Sequence, residues 1–237
     1  MLLIDADIIV YRIGFAAKDD PVAHALHSTD AFIFDILMAY PEVPYQLYLT
    51  GKDNFRNHRA VTAKYKGNRD KTSRPEHYQA IRDHIENVWN AEVVDYMEAD
   101  DAIAMAATSH PGSIMASIDK DFNQVPGIHY NFVKRQEYTV TEEEGREFLY
   151  EQILTGDAAD NIIGLRGIGP VKAKKLLAKC ETEHEMYMAC VRAYEEKDPS
   201  LYPVMRVCEN ANLLFLLRKE DVHWTVPIKE TPQVAGV

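Results

Sequence analysis

Short apolar runs alternate with amphipathic stretches through about the first 140 residues of the chain. The run Leu2 to Ile4 ends at Asp5, a pattern typical of a buried strand with an acid at its carboxyl end. Runs rich in β-branched and aromatic residues predict further strands at 45–49, 91–96, 113–118 and 128–133. Helical patterns lie between them at about 29–40, 75–90 and 98–109. Because strands alternate with helices, we expect an α/β fold with a mostly parallel central sheet.

Beyond residue 142 the pattern predicts helices alone. They are expected at 143–155, 170–179, 183–196 and 203–217. We therefore expect two parts, an α/β core over 1–142 and a helical part over 143–237. The last residues, 227–237, have the composition of a frayed tail.

The composition indicates a protein that folds without covalent or metal staples. Its 237 residues are 46% hydrophobic and 27% charged, enough for one large domain or two closely associated ones. No apolar run approaches the ~18 residues of a transmembrane helix, and the first residues lack the basic region of a signal peptide. The three cysteines form no CxxC pair, which indicates a reducing compartment and argues against zinc. We therefore expect a monomeric, cytoplasmic protein with no membrane partner.

The net charge of −11 hides two basic segments. Residues 52–84 contain nine Lys or Arg and four acids, and residues 164–179 contain five Lys or Arg and no acid. Each segment is therefore +5, and the other 188 residues carry −21. This distribution favours binding of a polyanion at the two segments, while the rest of the surface repels it.

Acidic residues follow three of the predicted strands. Asp5 ends the first strand, and two further groups come directly after strands that end at Tyr96 and Ile118. Another group lies in the segment 155–161. The three groups are Glu98, Asp100 and Asp101; Asp119 and Asp121; and Asp157 and Asp160. Because ligands of parallel α/β sheets bind outside the carboxyl ends of the strands, we expect the acids that follow strands to share one cleft.

So many carboxylates in one cleft would repel one another unless cations lay between them. All-oxygen sites of this kind favour Mg²⁺ and Mn²⁺. Two such ions, ~3.5–4 Å apart, clamp the attacking and leaving oxygens in phosphoryl transfer. The acids therefore predict a two-metal phosphodiesterase site. Asp7, two residues past Asp5, is assigned instead to a loop or capping role.

A glycine-rich turn between residues 163 and 177 predicts a grip on the DNA backbone. Gly164, Gly167 and Gly169 permit a tight turn with close backbone approach, and Pro170 suits the first turn of a helix. Such a turn presents backbone N–H groups and a helix N-terminus, which bind phosphate without reading sequence. Positive charge is added by Lys172, Lys174 and Lys175. The pattern is that of a helix–hairpin–helix at about 162–179.

The segments 97–101, 117–122 and 156–161, followed by this hairpin, resemble the signature of the structure-specific 5′ nucleases, the flap endonuclease and 5′→3′ exonuclease family. The resemblance covers about residues 1–180, and the chain length is most similar to that of the stand-alone bacteriophage enzymes. It implies a PIN-like α/β nuclease core with a helical arch at about 66–84 and a helical DNA-binding part. It also implies that the catalytic metal pair is held by Asp5, Glu98, Asp100, Asp101 and Asp119, and that a second acidic cluster consists of Asp121, Asp157 and Asp160.

The segment Tyr65 to Arg69 resembles the basic motif of that family at the base of the arch. The resemblance implies that Lys66 and Arg69 steer and stabilise the scissile phosphate and that Tyr65 stacks on a terminal base. It also implies that residues 164–169 hold duplex DNA, with a K⁺ ion on their carbonyl groups. The expected reaction is Mg²⁺- or Mn²⁺-dependent hydrolysis of DNA at a nick or 5′ flap, leaving a 5′-phosphate and a 3′-hydroxyl. Its setting would be replication, primer removal or DNA degradation, in the host cytoplasm for a phage enzyme.

One departure from the family pattern leaves alternatives open. The family usually has another acid after the second strand, where this chain has Thr50 and Gly51, with Asp53 a few residues late. Either Asp53 reaches the cluster or the site has one acid fewer. The alternatives are RNase H-like removal of RNA from RNA–DNA hybrids, a PIN-type ribonuclease, which would lack the hairpin, and a fork-binding protein without catalysis.

Overall fold

The computed structural model describes residues 1–69, 74–197 and 202–229. Its strands are β1 (Leu2–Asp5), β2 (Tyr45–Thr50), β3 (Glu92–Val94), β4 (Ile114–Ala116), β5 (Gly127–Asn131), β6 (Gln136–Val140), β7 (Gly156–Asp157) and β8 (Ile162–Ile163). Its helices are α1 (Ala6–Ala16), α2 (Val22–Leu37), α3 (Phe55–Arg59), α4 (Tyr78–Val88), α5 (Ala99–Ser109), α6 (Glu142–Thr155), α7 (Pro170–Leu177), α8 (Glu183–Lys197) and α9 (Pro203–Leu214). A 3₁₀ turn, Lys120–Gln124, follows β4.

Strands β1 to β6 form one sheet in the order β3-β2-β1-β4-β5-β6. β1 pairs in parallel with β2 and β4, and β3 and β5 extend the parallel arrangement on either side. β6 pairs antiparallel with β5. The predicted mostly parallel sheet is therefore confirmed. Because parallel strands end at the same edge, Asp5, Thr50 and the residues after Ala116 lie along one edge of the sheet.

Helices cover both faces of β1, because its side chains are apolar on both faces and have to be buried. Successive side chains of a strand point to opposite faces. Leu2 and Ile4 join a core with α1, α2 and α4, whereas Leu3 joins a second core with α5 and the 3₁₀ turn. A parallel sheet buried in this way explains why β1 is a continuous apolar run in the sequence.

The chain forms two compact units. Unit 1 comprises residues 1–58, 69–145 and 216–222, and unit 2 comprises 59–68, 146–215 and 223–237, as far as these residues are described. Unit 2 has its own core, built by α6, α7, α8 and α9. The single boundary predicted after residue 142 differs from this division, because two short segments join the other unit. Within the described ranges, no helix is long and apolar enough to cross a membrane.

The sequence patterns predicted neither α1 nor β6. α1 buries Ala6, Ile9 and Ile13 at helical spacing, but its apolar residues continue directly from β1 and hide the change of period. α9 ends at Leu214, earlier than the predicted 217, because the backbone becomes extended at Phe215. The predicted arch over 66–84 includes residues 70–73, and the predicted tail includes 230–237. Both of these stretches lie outside the described residues.

Candidate metal-binding and nucleic-acid-binding residues

Asp5 lies at the carboxyl end of β1 and is the N-cap of α1. Its Oδ1 accepts a hydrogen bond from the N–H of Ile8 at 3.4 Å, and its Oδ2 accepts one from Ser117 Oγ at 2.8 Å. The side chain is buried. Since Ser117 follows β4, this bond joins the ends of two neighbouring strands.

Asp119 lies at the same edge of the sheet. Its N–H donates to Ser117 Oγ at 3.0 Å, so one hydroxyl links the backbone of Asp119 to the carboxylate of Asp5. Asp119 Oδ1 accepts a hydrogen bond from the N–H of Asp121 at 2.9 Å and caps the 3₁₀ turn. Asp119 and Asp121 are both half-buried.

Three acids open α5, with Glu98 at the N-cap and Asp100 and Asp101 in the first turn. Asp101 is fully buried and pairs with Arg56 through bonds of 2.6 Å to Oδ2 and 2.9 Å to Oδ1. Its Oδ1 also accepts from the N–H of Leu217 at 3.0 Å, and its Oδ2 from the N–H of Glu98 at 3.1 Å. A carboxylate has about four lone-pair sites, and here each oxygen already accepts two hydrogen bonds. The prediction that Asp101 is a metal ligand does not fit this geometry, and the sequence had given Arg56 no role beyond its charge.

Four acids of unit 1 influence one another electrostatically. Burial, together with the carboxylates of Asp7 and Asp119, raises the pKa of Asp5 to about 7. Burial also raises the pKa of Asp7, and the charge of Glu98 adds to this rise. A divalent cation among these groups would favour their charged forms, and a donor set of carboxylate oxygens suits Mg²⁺ or Mn²⁺. Across the described ranges, no three His, Cys, Asp or Glu side chains form a ready-made metal-binding group.

The end of β2 has no room for an acid at Gly51. A Cβ on Gly51 would lie 2.1 Å from Asp95 Oδ1, and this oxygen already accepts a backbone N–H at 2.6 Å. Asp53 remains with its own loop, where its Oδ1 accepts the N–H of Asn54 at 2.7 Å. These contacts favour a cluster without Asp53.

Asp7 lies beside the same strand end. Its Oδ2 accepts a hydrogen bond from the N–H of Thr50 at 3.0 Å, and Arg82 Nη1 is 3.5 Å from its Oδ1. The contact joins the first turn of α1 to the end of β2. Asp7 therefore does more than the loop or capping role that the sequence suggested.

In unit 2, the basic motif and the second acidic motif form one local structure. Tyr65 is 4% exposed, and its hydroxyl donates to Asp160 Oδ2 at 2.8 Å. Lys66 Nζ lies 5.1 Å from the centroid of the Tyr65 ring and 3.8 Å from Asp160 Oδ1. The N–H of Lys66 also donates to the carbonyl of Asp160 at 2.9 Å. A buried ring is not available for stacking on a terminal base, so that prediction is wrong for Tyr65, which supports Lys66 and Asp160 instead.

Asp157 shapes the loop that carries Asp160. It is buried, and its Oδ1 accepts the N–H groups of Ala159 at 2.7 Å and Asp160 at 3.3 Å. Asn68 Nδ2 donates to the carbonyl of Ala158 at 2.7 Å, which adds a further tie between this loop and the basic motif.

The glycine-rich turn lies between β8 and α7. Gly164 packs against the end of α6, where a Cβ would lie 2.1 Å from the carbonyl carbon of Thr155. Gly167 has a φ of +78°, a conformation that favours glycine. Gly169 is the N-cap of α7, and Pro170 is its first residue. A tight turn therefore leads into a helix N-terminus.

Three exposed lysines follow on α7, namely Lys172, Lys174 and Lys175. Lys172 Nζ donates to the carbonyl of Gly167 at 2.8 Å, and Lys174 Nζ lies 3.8 Å from a carboxylate oxygen of Glu151. The carbonyl of Gly167 therefore already accepts a hydrogen bond from the ammonium group of Lys172. The K⁺ ion implied for this turn stays a prediction.

An aromatic and arginine cluster in unit 1 was missed by the sequence analysis. Tyr11 and Phe15, one turn apart on α1, are 40% and 55% exposed, and their ring centroids are 6.3 Å apart. Tyr11 lies edge-on to Tyr78 at 5.4 Å, and the guanidinium of Arg74 lies 4.6 Å from the Tyr78 ring centroid. Arg69 is close enough to act on the pKa of the Tyr11 hydroxyl. The four-residue spacing of exposed aromatics was the available signal, but it required α1 to be recognised as a helix.

Part of the chain is similar in sequence to curated flap endonucleases. Flap endonuclease Xni of Shewanella oneidensis is 31% identical over 116 residues, which are 44% of this chain and 44% of that protein. Flap endonuclease Xni of Shewanella sp. (strain ANA-3) is 31% identical over 116 residues, which are 44% of this chain and 45% of that protein. The aligned region spans less than half the length of these relatives. No protein-family model matches the chain.

Solved nuclease structures share the fold over most of the chain. A bacteriophage T5 5′-exonuclease with bound divalent metal ions (zinc) matches with a TM-score of 0.64 and 19% identity, over 90% of this chain and 86% of that one. A bacteriophage T5 flap endonuclease complex with DNA and metal ions matches with a TM-score of 0.68 and 17% identity, over 92% and 88%. The catalytic core of Rad2 with DNA substrate matches with a TM-score of 0.52 and 17% identity, over 84% and 68%. These matches show that the chain has the fold of these nucleases, which confirms the predicted PIN-like α/β fold.

Proposed function

We propose that this chain, which has the fold of the structure-specific 5′ nucleases, is a metal-dependent 5′→3′ exonuclease and 5′-flap endonuclease. It would hydrolyse DNA phosphodiesters to leave a 5′-phosphate and a 3′-hydroxyl. The observation that carries the proposal is the Ser117 hydroxyl that links Asp5 and Asp119 at one edge of the sheet, in a chain that also carries the glycine-rich turn before α7.

Four acids of unit 1 are proposed as the main metal ligands: Asp5, Glu98, Asp100 and Asp119. Asp121 in unit 1, and Asp157 and Asp160 in unit 2, are proposed as further metal ligands. Two Mg²⁺ or Mn²⁺ ions, when bound, would supply a nucleophilic water of lowered pKa and neutralise charge on the leaving oxygen. Ser117 orients both Asp5 and Asp119, so neither carboxylate has to be ordered at the moment of reaction.

Positive side chains would stabilise the charge that develops on the phosphate, which is usually a large part of catalysis. Lys66 is held by the Tyr65 ring and by Asp160, so its ammonium is positioned in advance. Arg69 and Arg74 lie with the exposed rings of Tyr11 and Phe15, an arrangement that suits stacking of unpaired bases beside a backbone phosphate.

The turn over 164–169 and the first turn of α7 are proposed to hold duplex backbone without reading sequence. Gly169 and Val171 offer backbone N–H groups at the start of α7, and Lys175 and its neighbours add charge. Structure selectivity would then come from this duplex grip combined with binding of an unpaired 5′ end. We propose that the protein acts as a monomer, with replication, primer removal or DNA degradation as its setting.

Cleavage of a 5′-labelled nicked duplex and a 5′-flap duplex, with Mg²⁺ and with EDTA, tests this function. We expect Mg²⁺-dependent release of 5′ fragments by the wild type and by Asp35→Asn, a surface acid paired with Arg135. Asp119→Asn should bind the same DNA and not cut it. Binding without cleavage by the wild type would instead identify a fork-binding protein. Preferential release from a 5′ RNA segment annealed to DNA would identify the RNase H-like alternative.

A further inference from the structure

The end of β2 is linked to the first turns of two helices through Thr50. Its N–H donates to Asp7 Oδ2 at 3.0 Å, and its Oγ1 accepts the N–H of Ala99 at 2.9 Å. Its carbonyl accepts Arg82 Nη2 at 2.5 Å. Thr50 therefore lies between Asp7 at the start of α1 and the α5 turn that carries Glu98.

This linkage fixes the carboxylate of Asp7 at the carboxyl edge of the sheet. β1 and β2 are paired in register up to Asp5 and Tyr48, so the residues that follow them leave the sheet side by side. Thr50 contacts both Asp7 and Ala99, the residue after Glu98, and the charges of Asp7 and Glu98 act on the carboxyl groups of Asp5 and Asp7, respectively. Its position comes from a contact between elements, because Thr50 is 43 residues away in the sequence.

Asp7 also remains accessible to an ion, unlike the buried Asp101. Its side chain is 26% exposed, whereas that of Asp101 is 0% exposed. Arg82 is a long 3.5 Å from Asp7 Oδ1, and the Thr50 N–H occupies one site on Oδ2. The Thr50 hydroxyl also acts on this carboxylate, so of its about four lone-pair sites at least one is left for a metal ion.

We infer that Asp7 is a further carboxylate ligand of the metal-binding cluster, held in place by the backbone of Thr50. The inference rests on the proposed function, because it assigns a residue to the same site. The metal site then receives a carboxylate from the first turn of α1, beside the strand end where Gly51 has no room for a side chain.

Mn²⁺ binding to the DNA-free protein, followed by electron paramagnetic resonance or calorimetry, tests this inference without relying on cleavage. Asp7→Asn should weaken Mn²⁺ binding at least tenfold, because one charged ligand is lost. Asp35→Asn is the matched control and should bind as the wild type does. In the double variant Asp7→Asn, Thr50→Asp, a carboxylate placed at the neighbouring position should recover most of the affinity.

Unchanged Mn²⁺ affinity in folded Asp7→Asn would overturn the inference. A loss of affinity that persists in the double variant, with the same fall in melting temperature in both, would assign the effect to stability and also overturn it. Absence of Mn²⁺ binding by the wild type would contradict the proposed function itself, so the two failures are distinguishable.

Discussion

Arg56 and Asp101 form a bidentate ion pair in which both side chains are almost fully buried, at 1% and 0% exposure. Burial alone would raise the pKa of Asp101, but Arg56 and the N–H groups of Leu217 and Glu98 hold that pKa below its usual value. The pair fixes the first turn of α5, where Glu98 and Asp100 begin the helix. Asp101 thus holds the turn that carries Glu98 and Asp100.

A neutral replacement of the pair separates this role from metal binding. Asp101→Asn alone removes the carboxylate that pairs with the buried Arg56 and should lower the free energy of unfolding by about 3–5 kcal/mol. The double variant Arg56→Gln, Asp101→Asn should recover most of that stability. Its Mg²⁺ concentration for half-maximal cleavage should lie within about twofold of the wild-type value. A double variant that is stable and yet needs far more Mg²⁺ would return Asp101 to the ligands.

Tyr65 is expected to act through Asp160. Tyr65→Phe removes a hydrogen bond to a charged group and should lower the free energy of unfolding by about 1.5–3 kcal/mol. Because the ring is buried, the affinity for single-stranded and flap DNA should not change. Chemical denaturation and fluorescence anisotropy measure the two quantities. Weaker DNA binding with unaltered stability would restore the stacking role.

Lys66→Ala should slow the cleavage step. Loss of one preorganised positive group near a developing charge lowers rates by about 10²–10³-fold. Single-turnover cleavage of a 5′-flap duplex measures this step, and exposed Lys134 offers a matched control as Lys134→Ala. Equal rates for the two variants would remove Lys66 from the reaction.

Tyr11→Ala should weaken binding of the unpaired strand. Stacking of one base on an aromatic ring contributes about 1–3 kcal/mol, so the Kd for a 5′-flap duplex should rise about 5- to 150-fold. The Kd for a blunt duplex should not change. Phe34→Ala removes another exposed ring, one that packs against Trp89, and serves as the control. An equal loss for both DNAs would place Tyr11 outside the strand-binding surface.

Glu209 is expected to stabilise unit 2 in a way that is lost at acidic pH. Its Oε1 accepts the N–H groups of Val61 and Thr62 at 2.8 and 2.7 Å, and Arg206 lies 2.7 Å from its Oε2. Burial opposes ionisation, but these partners hold the pKa of Glu209 below its usual value of 4.5. The stabilisation is therefore present above pH 4.5 and is lost as the pH falls through the lowered pKa.

Comparison of wild type with Glu209→Gln measures this anchor. At pH 7 the variant should have a lower melting temperature, corresponding to about 1–3 kcal/mol. The difference should shrink as the pH falls below 4.5, because the wild-type carboxyl is protonated as the pH passes through its lowered pKa. Exposed Glu195 provides the control as Glu195→Gln. A difference that stays constant down to pH 3 would contradict the assigned role of the charge.

The sheet edge was predictable from the sequence because three of the apolar runs that form strands end close to acids. Asp5 and Asp119 occupy that edge as expected. The assignment of Asp101 failed because its partner, Arg56, lies 45 residues earlier, and no local pattern connects the two. Tyr65 failed for the same reason, since the acid that binds its hydroxyl lies 95 residues later. Whether a given acid or tyrosine binds a ligand or stabilises its neighbours is thus decided by tertiary contacts, which the local sequence does not indicate.

β6 illustrates a different limit of sequence patterns. It is a polar edge strand, with Gln136, Glu137 and Thr139 exposed, so it lacks the apolar run that marks the other strands. The strand is formed through its antiparallel pairing with β5, which its own residues do not indicate. Edge strands with charged or polar side chains also resist pairing with other chains.

The return of residues 216–222 to unit 1 determines how the protein can be dissected. Leu217 supplies an N–H to Asp101, and Arg218 Nη2 donates to the carbonyl of Gln124 at 2.6 Å. A fragment that stops at the end of α9 would lack Leu217 and Arg218, so unit 1 would lose these two hydrogen bonds. Neither half can therefore be released by one proteolytic cut. A truncation that reaches Leu217 would therefore remove contacts in the unit that also contains the N-terminus.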